Sequence, residues 1–124
     1  MTDALSLAHN INEKACLQTL SKMVQQKSHS ETEGERVLAE NMIQIMRQMG
    51  LESYAQPVEG DRINAIGIWR GTGGGESLLF NGHLDTNPVS EGWTVDPWGG
   101  LIDDKFIYGI GVSNMKAGDA APLC

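Results

Sequence analysis

The chain has 124 residues, 40% of them hydrophobic and 20% charged, which is the composition of one small soluble globular domain with a modest core. Nine basic against sixteen acidic residues leave a formal charge of −7, which argues against nucleic acid or an anionic membrane surface as partner and suits a small solute or a metal ion. The first residues lack the basic start and apolar core of a secretion signal, and no apolar run reaches transmembrane length, so the expected compartment is the cytosol.

In chain order, residues 10–25 carry Ile11, Ala15, Cys16, Leu20, Met23 and Val24 at three- and four-residue intervals, the pattern of a helix with one buried stripe. A polar break through Ser28, His29 and Ser30 follows. Ser30-x-x-Glu33 and Thr32-x-x-Glu35 are overlapping capping boxes for a second helix, with Val37, Leu38, Met42, Ile45, Met46 and Met49 facing inward and Gly50 as its stop. His9 and His29 lie in polar surroundings and read as surface residues. Cys16, inside the first helix, and Cys124, the last residue, read as free thiols.

From Leu51 the character changes. Residues 52–58 suit a short edge strand interrupted by Pro57, residues 63–69 a second strand, and Glu59-Gly60-Asp61 the tight link between them. The glycine-rich stretch 71–75 resembles a phosphate loop only superficially. No Gly-Lys-Ser/Thr follows and the next element reads as a strand rather than a helix, so it is a flexible turn. Residues 77–81 read as that strand, leading to His83 and Asp85. On a strand, residues i and i+2 face one side, so this imidazole and carboxylate can meet.

A carboxylate that accepts a hydrogen bond from one ring nitrogen fixes the tautomer and makes the other nitrogen a better metal ligand. The bland alternative is a satisfied histidine at a strand end followed by a turn. Residues 87–100 form a long loop, in which Trp93, Asp96, Pro97 and Trp98 serve to pin it over the sheet, and Glu91 and Asp96 are solvated carboxylates. Asp103-Asp104-Lys105 reads as a turn before a short strand at 106–108. No internal repeat or low-complexity tract is evident.

Three blocks then fall in order: Asn81-Gly82-His83-Leu84-Asp85-Thr86, Gly92-Trp93-Thr94-Val95-Asp96-Pro97-Trp98, and Tyr108-Gly109-Ile110-Gly111-Val112-Ser113-Asn114-Met115-Lys116-Ala117-Gly118. Together they resemble the amino-terminal part of the M20 metallopeptidase family of deacetylases, desuccinylases, aminoacylases and carboxypeptidases. The resemblance runs over residues 17–121 and is strongest from Ser77 onward. It implies an α/β fold, the first part of a zinc-peptidase-like catalytic domain, with two helices packed on a mixed β-sheet. It also implies hydrolysis of an amide bond in an N-acyl amino acid or small peptide, by a water bridging two zinc or cobalt ions.

By resemblance His83 ligates one metal, Asp85 joins the catalytic machinery by orienting His83, and Asn114 stands where the family has a bridging aspartate. That departure matters, because an amide offers one neutral oxygen where a carboxylate offers charge and two oxygens able to span two metals. Three readings stay open: one metal or a weaker pair, a subgroup that uses Asn natively, or a degenerate copy. Retention of Met115, Lys116 and Gly118 favours the subgroup. Lys116 serves either to neutralise carboxylates at the site or as a solvated lysine at a helix start.

The family's paired glutamates and remaining ligands follow the Met-Lys block, whereas here Pro122, three residues from the end, does not continue a helix well. Truncation or a frameshift is the expectation, and residues 1–124 are then the N-terminal portion of one domain. The 124-residue chain alone would be inactive, with one ion bound or none. The alternative to an amide hydrolase is a catalytically silent fragment that binds metal weakly or associates with another chain through its sheet edge, as in a homo-oligomer.

Overall fold

The computed structural model describes Ser6 and residues 8–124. Its first long helix, α1 (Glu13–Gln25), begins later than the periodicity implies because Asn12 takes the cap: its Oδ1 accepts from the Ala15 N–H at 3.0 Å. Ile11 therefore lies outside the helix and exposed, while Leu20, Met23 and Val24 form the buried stripe. Helix α2 (Glu33–Gln48) starts at Thr32, one of the two predicted caps, but the reciprocal bonds of a capping box do not form. Thr32 Oγ1 donates to His29 O at 2.6 Å, and Glu35 Oε1 accepts from the Glu31 N–H at 2.9 Å, so both stabilise the turn before the helix.

The C-terminus of α2 ends as the sequence implies. Gly50 adopts a left-handed φ of 89°, its N–H bonds to Arg47 O and the Leu51 N–H bonds to Met46 O, both at 2.9 Å. Leu51 then turns down onto the core. Strands β1 (Glu52–Pro57) and β2 (Ile63–Ile68) pair antiparallel with Ala55 opposite Ala65, and α2 lies across both. The Sδ of Met46 sits so close to Gly67 that a β-carbon there would collide with it. The core joins Leu20, Met23 and Val24 of α1 to Leu38, Met42, Ile43 and Met46 of α2, with Ala120 closing it from the chain's far end.

Beyond the hairpin the structure departs from the sequence reading. The expected mixed sheet is, among the described residues, a two-stranded antiparallel sheet; helices and strands are mixed, as in an α/β protein, but the sheet is smaller. Residues 77–81 form no strand, because a strand needs a hydrogen-bonding neighbour and none of the described segments supplies one. Leu78, Leu79 and Phe80 are left 79%, 83% and 65% exposed. The strand expected at 106–108 reduces to a single bridge between Ile102 and Ile107, beside an Asp103 turn in which Oδ1 accepts from the Lys105 and Phe106 N–H groups.

The chain closes with a wide turn (Val112–Lys116), the short helix α3 (Ala117–Ala120) and one 3₁₀ turn (Ala121–Leu123) that accommodates Pro122. Helix α3 packs against α1 and brings Cys124 beside Cys16. The two are disulfide-bonded, with Cα atoms 5.2 Å apart, which corrects the reading of both as free thiols. Their sequence separation concealed a contact that the packing of α3 creates. Among the described residues no helix is long and apolar enough to cross a membrane.

Candidate functional site

Segment 84–86 is held by the polar break between α1 and α2. The Thr86 N–H bonds to Ser28 O at 2.9 Å, the Ser30 N–H bonds to Thr86 O at 3.0 Å, and the buried Ser28 Oγ donates to Leu84 O at 2.8 Å. This parallel pairing of His29 with Thr86, rather than a strand at 77–81, positions His83 and Asp85. Their side chains meet as the i, i+2 spacing implies: His83 Nδ1 lies 3.0 Å from Asp85 Oδ1. The second carboxylate oxygen accepts from Ser30 Oγ. The sequence offers Ser30 only as a helix cap, and its contact with Asp85 arises from the pairing of the polar break with segment 84–86.

The third residue arrives from the other end of the chain. Asn114 has φ −137° and ψ 89°, a break in the helical path of the wide turn, and its Oδ1 faces His83 Nε2 at 3.0 Å. The structure thus brings together His83, Asp85 and Asn114, separated by 31 residues in sequence. They share a cleft of about 300 Å³ with Thr86, Trp93 and Gly111.

Lys116 anchors this turn. The side chain is fully buried and its ammonium donates to Met23 O at 2.8 Å and to Gln26 O at 3.4 Å, at the C-terminal end of α1, with the Trp98 ring centroid 5.6 Å away. A cation is favoured there by the unpaired carbonyls and the helix dipole, while burial pushes its pKa down to about 8. It is therefore neither a solvated lysine nor a cation directed at the Asp85 carboxylate. The long loop is also pinned, though onto α1 rather than the sheet. Ser21 Oγ donates to Gly100 O, Gln25 Nε2 to Gly99 O, and the Ile110 N–H to Pro97 O. His9 is exposed, and His29 is half-buried with its backbone in the bridge.

The electrostatics follow from these contacts. The hydrogen bond to Asn114, then the charge and hydrogen bonds of Asp85, raise the His83 pKa above its ordinary value against a smaller opposing effect of burial. The Ser30 hydrogen bond, helped by His83, holds the Asp85 carboxyl below the usual carboxylate range. With the carboxamide oriented as here, a neutral imidazole that donates from Nδ1 to Asp85 presents a lone pair at Nε2 to another acceptor. Two electron-rich atoms 3.0 Å apart need a proton or a cation between them. Neighbouring donors on a tetrahedral zinc, at bonds of about 2.1 Å, lie about 3.4 Å apart, so the pair would have to open by a few tenths of an ångström for both atoms to face one ion. Among the described residues no three His, Cys, Asp or Glu side chains are grouped to hold an ion, and the pair itself joins an imidazole to a carboxamide.

Comparison with known proteins finds the chain similar to curated succinyl-diaminopimelate desuccinylases, which supports a relationship to the M20 metallopeptidases. It is 39% identical to the succinyl-diaminopimelate desuccinylase of Wolinella succinogenes over 74 residues, 59% of this chain and 20% of that protein. It is 43% identical to succinyl-diaminopimelate desuccinylase 2 of a Ruegeria species over 60 residues, 47% of this chain and 15% of that protein. With the Helicobacter hepaticus succinyl-diaminopimelate desuccinylase it shares 47% identity over 47 residues, 38% and 12% of the two chains. The chain thus spans a fifth or less of the length of these curated relatives. No protein-family model matches it.

Proposed function

We propose that this chain carries one side of the metal site of an amide hydrolase acting on N-acyl amino acids or small peptides, of the deacylase or desuccinylase type. The observation that carries the reading is the line of contacts from Ser30 through Asp85 and His83 to Asn114. The relatives supply the reaction class: each is a succinyl-diaminopimelate desuccinylase. His83 Nε2 and Asn114 Oδ1 would hold one zinc or cobalt ion, and a cytosolic setting is part of the proposal. Bound there, the ion would polarise an amide carbonyl and acidify a water.

The chain's own residues prepare that site. Ser30 fixes the Asp85 carboxylate, Asp85 accepts the hydrogen bond of the Nδ1–H, and Nε2 is thereby left as the nitrogen that would ligate. Metal binding must displace any proton at Nε2, so affinity rises with pH through the elevated His83 value. Trp93 and the Gly111 backbone shape the cleft wall beside Asn114. Amide hydrolysis also needs a general base within reach of the attacking water. Among the cleft's lining residues the only acid is Asp85, which already accepts from Ser30 and His83.

The 124 residues by themselves are therefore expected to bind metal without turning over. Zinc titration by calorimetry, with His83→Ala beside the wild type, tests the site. The proposal expects a saturable heat that the substitution removes, and equal heats contradict it. An N-succinyl amino acid assay on the same material is expected to stay at background. The second reading, a silent chain whose role is association, is favoured by the exposed Leu78, Leu79 and Phe80. Association that depends on concentration and is lost in Leu79→Lys, with no metal bound, would support it instead.

A further inference from the structure

Asp119 stands one turn beyond Asn114, on α3. Its Oδ1 rests against the α-carbon of Gly82, so closely that a β-carbon at position 82 would collide with it, and the Met115 methyl covers the same spot. Its other oxygen, Oδ2, is buried and has no hydrogen-bond partner among the described residues. A buried carboxylate oxygen without a donor is costly, and such groups persist where something else compensates them. Lys116 does not donate to it, because its ammonium is directed to Met23 O and Gln26 O. Burial pushes the Asp119 carboxyl above its ordinary range, and the positive charges of His83 and Lys116 oppose that shift.

The site described above is short of one thing. A divalent cation between His83 Nε2 and Asn114 Oδ1 would meet two neutral donors, and the one carboxylate of the trio already accepts on both oxygens. We infer that Asp119 is a positioning residue whose carboxylate, packed beneath the Gly82–His83 backbone, supplies to a cation at His83 and Asn114 the negative charge that Asn114 lacks. It acts through the field and not as a ligand, since it is not among the residues lining the cleft. The orphaned oxygen is thus compensated when a cation arrives, because attraction across a partly desolvated space is stronger than in water. This inference rests on the metal reading of the site.

The test titrates cobalt(II) into the 124-residue chain, following heat and the visible absorption of the bound ion, for wild type, His83→Ala, Asp119→Asn, Asp119→Ser and the double variant Asn114→Asp/Asp119→Asn. The expectation is that His83→Ala abolishes binding, while Asp119→Asn and Asp119→Ser each weaken it by about tenfold or more without moving the absorption bands. Returning a carboxylate at position 114 in the double variant restores affinity. If His83→Ala binds like wild type, the metal reading itself fails. If His83→Ala loses binding while both Asp119 variants keep wild-type affinity, the metal reading stands and the role of Asp119 is overturned. A shift of the bands in the Asp119 variants would make it a ligand and overturn the positioning role. Far-ultraviolet circular dichroism shows which of the two Asp119 variants is folded and can be scored.

Discussion

The helix and hairpin region, residues 13–68, and the region from 77 to 111 are built on different physical principles. In the first, apolar residues recur at the period of the element that carries them, and each face finds a partner: Leu38, Met42 and Met46 meet Leu20, Met23 and Val24, and α2 covers the hairpin. In the second, Leu78, Leu79 and Phe80 face solvent, only a few apolar side chains such as Leu84, Ile107 and Ile110 turn inward, and polar tethers at Ser21, Gln25, Ser28 and Ser30 fix the path of the chain. Periodic burial stabilises a scaffold without setting the position of any one atom. Directed hydrogen bonds contribute less burial but place the His83 ring between two oxygens at 3.0 Å.

Substitutions break the comparison most sharply where burial is complete. Leu38→Ala, at a 1% exposed position, is expected to cost about 3 kcal/mol in urea unfolding. The matching truncation Leu79→Ala, at 83% exposure, is expected to change stability by less than about 0.5 kcal/mol. Between these extremes lies Lys116→Ala, which removes a buried stem and leaves Met23 O and Gln26 O unpaired, for about 2 kcal/mol. Gly50→Ala is expected to cost about 1 kcal/mol, because the left-handed φ of 89° disfavours a β-carbon.

The smallest effect is a pH dependence of the site pair. His83 has its pKa raised on folding, so its contribution is complete below 6.5 and is lost as pH rises through the elevated value. Asp85 has its pKa lowered, so its contribution is complete above 3.8 and is lost as pH falls through the depressed value. The difference in urea midpoint between wild type and Asp85→Asn should therefore be largest between those two pH values and shrink on either side. Both side chains are more than a third exposed, so water screens the effect and it stays small.

How much of this was legible in the sequence follows the same division. Both long helices, the hairpin and the Gly50 stop were readable because local period and turn chemistry specify them. Ile43 was absent from the predicted core face of α2, although it is buried, and Met49 was placed there although it is 39% exposed. The apolar run at 77–81 has the composition of a strand, yet strand formation depends on a neighbour that composition cannot supply. The meeting of His83 with Asp85 was legible from an i, i+2 spacing. The contacts of Ser30 with Asp85, Asp119 with Gly82 and Cys16 with Cys124 were not, since each joins residues brought together by packing across the molecule.

The proposal that His83 and Asn114 together bind a divalent cation is tested most directly by X-ray absorption at the zinc edge of the zinc-loaded chain. The account predicts one imidazole nitrogen and oxygen neighbours at about 2.0–2.2 Å, no sulfur, and loss of the imidazole signature in His83→Ala. A shell of water oxygens alone, or a spectrum that His83→Ala leaves unchanged, would contradict it.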